Sequence, residues 1–206
     1  MPKCTNKKHS FGRIGRREIE ANFAGGAIST DGGAMLLSRI DHFVGISRAV
    51  AGALVERRDS SRVTHCLEAM VRQRLFALAQ GHEDLNDHDK LRSDPLFQTA
   101  IGTVEELASS PTLCRLERQV TRKEILALNA ALVTQFIKSH DDAPKCLILD
   151  FDASDIPLHG NQEGRQFHGY YDHHCYLPLY VYCGDEILAS VLRPRVRQLR
   201  PQLIVI

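Results

Sequence analysis

Cys146-Leu147-Ile148-Leu149-Asp150-Phe151-Asp152-Ala153-Ser154-Asp155 divides this 206-residue chain into two kinds of sequence. The apolar run Cys146–Leu149 reads as a buried strand. Side chains alternate along a strand, so Asp150 and Asp152 are expected on one face. Two carboxylates held there repel each other and lose hydration. A divalent cation relieves both costs. Mg²⁺ takes hard oxygen ligands and accepts one or two carboxylates together with substrate phosphate. A pair of such ions can stabilise the attacking and leaving oxygens of a phosphodiester displacement. The alternative is a strand that ends in an Asp-rich turn, with Asp and Ser bonded to local backbone.

On the N-terminal side the apolar residues fall at helical spacing. Ser29, Thr30 and Asp31 lead into Gly32-Gly33 as loop and cap chemistry. Met35, Leu36, Ile40, Phe43, Val44 and Val50 follow as one or two helices broken near Gly45. Asp59-Ser60-Ser61 is read as the cap of a helix carrying Val63, Cys66, Leu67, Met70, Val71, Leu75 and Leu78, closed by Gly81. The stretch from Gly81 to Phe97 is highly polar. Ser109-Ser110-Pro111-Thr112 opens another helix with proline in its first turn. Ile125 to Phe136 is a further amphipathic run, and 139–144 is a linker.

On the C-terminal side Tyr176–Cys183 and Ile187–Leu192 read as strands joined by Gly184-Asp185-Glu186. Helices first and strands afterwards make the fold α+β, in two domains.

Net charge is +1, from 26 Lys and Arg against 25 Asp and Glu, so total charge does not announce a nucleic-acid binder. The distribution is more informative. Lys3, Lys7, Lys8, Arg13, Arg16 and Arg17 crowd residues 1–22, a basic and weakly ordered arm able to follow a phosphate backbone or simply to be solvated. The six cysteines form no C-x-x-C pair and are expected to be free thiols. His173, His174 and Cys175 are adjacent, and neighbouring strand residues point apart, so no zinc is expected. No segment has the apolar length of a membrane span or of a secretory signal, which places the chain in the cytoplasm.

Longer motifs carry a resemblance. Leu149 through Asp152-Ala153-Ser154-Asp155 to His159-Gly160-Asn161-Gln162-Glu163-Gly164, then His168-Gly169-Tyr170-Tyr171-Asp172 and Tyr176-Leu177-Pro178-Leu179-Tyr180, resemble the group-1 DDE transposases of insertion-sequence family thirteen-eighty. Asp31-Gly32-Gly33, the run Gly81–Asp89 and Ser110-Pro111-Thr112-Leu113-Cys114-Arg115 agree with it, and the resemblance spans Phe23 to Pro194. It implies a helical DNA-binding and assembly region over 23–142, followed over 143–194 by the first strands of an incomplete ribonuclease-H-like domain. Residues 195–206 read as a tail foreign to the family.

The resemblance also implies a bacterial, nucleoid-associated, homo-oligomeric enzyme. Such an enzyme binds terminal inverted repeats and target DNA as double strands and uses Mg²⁺ or Mn²⁺ to cleave and rejoin them. Asp152, and after it Asp150, is the catalytic and metal-binding carboxylate so implied. The family's second aspartate, in a Gly-Asp-Ser-Gly-like motif, and its distant glutamate do not occur here. Asp185 follows Gly184 but sits in the hairpin turn. A catalytically incomplete fragment is therefore expected, with residues 143–206 poorly folded alone because an edge strand is left unpaired.

Three functions compete: a metal-dependent strand-transferase, a non-catalytic remnant that competes for inverted-repeat DNA, and a protein-binding module. For DNA contact the candidates are Lys7, Lys8, Arg16 and Arg17 in the arm, with Arg72, Arg74, Arg115, Arg118 and Arg122 on helices.

Overall fold

The computed structural model of the chain describes residues 8–22 and 30–192. Lys7 and the tail from 195 to 206 lie outside the described residues. The architecture is α+β. Two compact units meet at Ile125/Leu126, inside a helix rather than at the 139–144 linker where the sequence pattern suggested a boundary.

The first unit opens with β1 (His9–Ile14) and β2 (Arg17–Ala21), an antiparallel hairpin. The two-residue turn Gly15–Arg16 places Gly15 at φ 58, a conformation that costs glycine little. This corrects the expectation of a weakly ordered arm over these residues. Phe11 and Ile19 pack against the helical core and anchor the hairpin; the surrounding basic charge hid them in the sequence.

Helices α1 (Gly33–Val44) and α2 (Ile46–Ala53) are separated by Gly45 at φ 72. Helix α3 (Leu67–Ala79) starts later than the periodicity suggested. Asp59 instead caps a short 3₁₀ turn, Ser60–Arg62, by accepting the Ser61 N–H. The highly polar stretch after Gly81 is partly helical. It contains α4 (His88–Leu91) and α5 (Pro95–Ile101). Asp94 caps α5 by accepting the Phe97 N–H at 2.8 Å. Helices α6 (Ser110–Arg118) and α7 (Arg122–Lys138) follow. Thr121 and Glu124 form a capping box at the start of α7: the Thr121 N–H and hydroxyl both donate to Glu124 Oε2.

The main core joins Ala34, Met35, Phe76, Ala77, Leu91, Phe97, Ala100, Ile101 and Leu107, and a smaller cluster holds Met70, Ala108 and Leu113. A polar bridge runs between helices. The buried Gln73 amide donates to Ala108 C=O at 2.9 Å and accepts Ala108 N–H at 3.1 Å. Its nitrogen also lies 3.1 Å from His88 Nδ1.

The second unit holds two three-stranded antiparallel sheets. One is β3 (Leu149–Ala153), β7 (Pro178–Cys183) and β8 (Glu186–Leu192), in the order β3-β7-β8. The other is β4 (Ile156–Pro157), β5 (Gln166–His168) and β6 (His173–Tyr176), with β6 central. Two expectations are corrected here. The strand begins at Leu149, and the apolar run before it is open to solvent, with Ile148 80% exposed. Tyr176–Cys183 is two strands, since Pro178 lacks an N–H and starts β7 as a new strand. Asn129 of α7 closes the outer edge of β8: its amide accepts Ser190 N–H at 3.0 Å and donates to Ser190 C=O at 3.3 Å.

Candidate functional site

Strand β3 pairs Asp150 with Tyr182 and Asp152 with Tyr180 on β7. The two carboxylates therefore share one sheet face with two tyrosines, while Phe151 and Val181 take the other. Both acids are exposed. Ser154 Oγ donates to Asp152 Oδ2 at 3.1 Å and holds that carboxylate near the strand end. The Asp150 carboxylate has no hydrogen bond or ion pair among the described residues. Opposite β7, β3 has no second partner strand among the described residues, so the acids sit on an open sheet edge.

The candidate cations separate into two groups. Arg72 is committed to the fold. It donates to Asp41 Oδ2 at 3.0 Å, Ile101 C=O at 3.1 Å and Glu68 Oε1 at 2.6 Å, tying α3 to α1 and α5. Arg74 is likewise engaged by Glu117 at 2.7 Å and by the carbonyls of His82 and Glu83. Three of the five N–H donors of each guanidinium are spent inside the fold, and the side chains are only 24% and 17% exposed, which ties both to a structural role. Their helical positions looked solvent-facing because the sequence did not reveal partners 29 to 43 residues away.

Arg16, Arg17, Arg115, Arg118 and Arg122 are exposed. Lys8 is exposed but forms an ion pair with Glu20 at 2.8 Å, which holds its ammonium above its ordinary pKa. Arg115 makes one weak contact, to Thr112 Oγ1 at 3.3 Å. It lines a cavity of about 480 Å³ in the first unit, together with Arg62, His65 and Leu116. Arg62, not singled out in the sequence, is 87% exposed and lies 3.9 Å from Asp59. Arg57, on the same wall, is spent on both oxygens of Glu124, and Arg58 on Glu56. The Arg57 guanidinium, then Thr121, holds the Glu124 carboxyl well below the usual carboxylate range.

The sequence reading also missed Asp155. It follows β3 and meets His173 and Cys175, which alternate onto one face of β6. The adjacency of His174 and Cys175 had suggested divergent side chains, whereas His173 and Cys175 are two residues apart and point the same way.

Paired carboxylates exposed on an antiparallel strand, in a chain whose helical unit carries exposed arginines, suit a protein that handles phosphodiesters. The profile of the transposase DDE domain, group 1, matches residues 11–201, and the chain belongs to that family. The match begins within β1 and runs past Pro194, where the sequence motifs had suggested the family resemblance ends. No curated protein and no solved structure is matched. The family makes the chain a transposase-type protein with a role in transposition, a dependence on divalent metal and a DNA partner. No helix among the described residues is long and apolar enough to cross a membrane.

Proposed function

We propose that this chain recognises the double-stranded inverted repeats of an insertion sequence of family thirteen-eighty and supplies the first carboxylate of its ribonuclease-H-like strand-transfer site. The observation that carries the proposal is the placement of Asp150 and Asp152 together on the exposed face of β3, at the edge of the β3-β7-β8 ladder. Asp152 is the principal catalytic and metal-binding residue and Asp150 the second.

Both fit a hard cation. They present oxygen donors only, on one face, with solvent access for the waters and phosphate oxygens that Mg²⁺ or Mn²⁺ retains. Such an ion, when bound, supplies charge neutralisation at the phosphodiester. The chain's own contribution is orientation. The pairing with β7 fixes the spacing of the two carboxylates, and Ser154 holds one oxygen of Asp152. DNA is held by Arg115, Arg118 and Arg122 around α6 and α7, with Arg16 and Arg17 at the hairpin tip, as phosphate contacts that position rather than read sequence.

A second reading rests on the exposed arginines alone. The chain then binds inverted-repeat DNA through Arg16, Arg17, Arg115, Arg118 and Arg122 and competes with an intact transposase without cutting. Gel-shift binding to inverted-repeat DNA, against scrambled DNA and with Mg²⁺ present, separates the readings. Specific binding with nicking that Asp152→Ala abolishes supports the strand-transfer role. Specific binding without nicking supports the competitor. Absence of binding in low salt sinks both.

A further inference from the structure

The described residues contain a side-chain cluster that neither the paired carboxylates nor the arginines use. Asp155 leaves the end of β3 and approaches β6, where His173 and Cys175 project from one face. One ligand atom from each of the three lies within 4.8 Å of the others. Asp155 Oδ2 and His173 Nε2 are 2.8 Å apart. Cys175 is completely buried, while the His173 side chain retains 36% exposure, so the cluster has a closed floor and an open side.

Two further atoms lack partners. Asp155 Oδ1 and His168 Nδ1 are buried with no hydrogen-bond partner in the described structure. His168 belongs to β5 and lies directly opposite His173 on β6. Buried polar groups in folded proteins are normally satisfied, and a cation held among the three side chains would take up the unpartnered Asp155 Oδ1.

We infer that Asp155, His173 and Cys175 form a binding site for a single transition-metal ion of borderline softness, with Zn²⁺ the best fit. The donor set decides the metal class. Thiolate, imidazole and carboxylate together are the ligands of zinc, whereas Mg²⁺ demands oxygen donors. Binding converts the Cys175 thiol to thiolate and releases its proton to solvent. Without metal the thiol is the stable form: burial, and then the Asp155 carboxylate, push Cys175 up to about 11. The ion would join the end of β3 to the β4-β6-β5 sheet three residues beyond Asp152. It stands apart from the strand-transfer reading, because it uses neither Asp150 nor Asp152.

The test is Co²⁺ titration of the metal-free 206-residue chain, followed by displacement with Zn²⁺. Expected are one thiolate-bound Co²⁺ per chain, the near-ultraviolet band of a cobalt–thiolate bond, the intense visible bands of tetrahedral cobalt, and loss of both when Zn²⁺ is added. In Cys175→Ser the thiolate band disappears. In His173→Ala the affinity falls at least about 100-fold, as much as the loss of an outer-shell partner can cost. Asp152→Asn leaves the spectrum unchanged. If wild type gives no thiolate band, or if the band survives in Cys175→Ser, the site is refuted. Should Cys175→Ser fail to fold, the wild-type spectrum and His173→Ala still decide: a band of undiminished affinity in His173→Ala assigns the metal elsewhere.

Discussion

The two units treat charge in opposite ways. In the helical unit charged and polar side chains are consumed internally. Arg72 satisfies three acceptors, Arg74 three more, and Gln73 spans Ala108 and His88 inside the core. In the strand unit Asp150 and Asp152 stand open on an edge strand, and Phe151, Phe167 and Tyr170 are exposed. The contrast teaches that a basic residue on an amphipathic helix is not by that fact a DNA contact. In this chain the arginines with the deepest burial hold helices together, and the candidates for phosphate are those whose side chains stay exposed.

The contrast breaks most visibly at the helical core. Phe97 is completely buried, so Phe97→Ala should cost about 4 kcal/mol, combining lost transfer energy and a cavity. Urea unfolding followed by helical circular dichroism measures it, and a loss under 1 kcal/mol would show that this core is not the stabilising centre.

Next in size is a pH effect. His88 is buried, and burial, then the charge of Arg74, lowers its pKa to about 4 from 6.5. Between those values the unfolded chain binds a proton that the folded chain excludes. Stability is complete above pH 6.5 and declines as pH falls toward 4, by about 3 kcal/mol at most. Urea midpoints for wild type and His88→Asn across pH 4 to 7 test this, and an equal slope in both would assign the proton to another group.

Smaller again, Arg72→Ala leaves the buried Asp41 carboxylate without its guanidinium partner and should cost about 2 kcal/mol. Arg118→Ala should leave the unfolding midpoint in place and instead lower the dependence of DNA affinity on salt by about one unit of slope. If the two substitutions exchange effects, the division between structural and DNA-facing arginines is wrong. The smallest stability change is expected for Asp152→Asn, whose carboxylate is exposed; an unchanged thermal midpoint with altered Mn²⁺ binding would place the residue in function rather than in folding.

Much of this fold is legible in the sequence because local chemistry writes it. Gly45 breaks the first helical run, Pro111 opens α6, and Gly184-Asp185 joins β7 to β8. The carboxylate pair is legible too, since strand alternation puts residues 150 and 152 together without knowledge of any partner. What failed depends on distant residues. The Gly81–Phe97 stretch, read only as highly polar, hides two short helices because its burial is polar: His88 enters the core through Gln73. Residues 146–148 look buried because an apolar run carries no record of which side its neighbours stand on. Asp155 escaped notice because its companions come 18 and 20 residues later, on a strand of another sheet.

The two-residue turn at Gly184–Asp185 has a kinetic consequence. β7 and β8 are joined across that turn, whereas β3 must wait for residues 154–177 to close a much longer loop before it can meet β7. Loop-closure entropy orders these events, so the hairpin assembles first and the strand bearing Asp150 and Asp152 docks last. Pulse-labelled hydrogen exchange during refolding should find Val181 and Ala189 amides protected before that of Asp152, whose N–H faces β7; simultaneous protection would mean that the sheet condenses in one step.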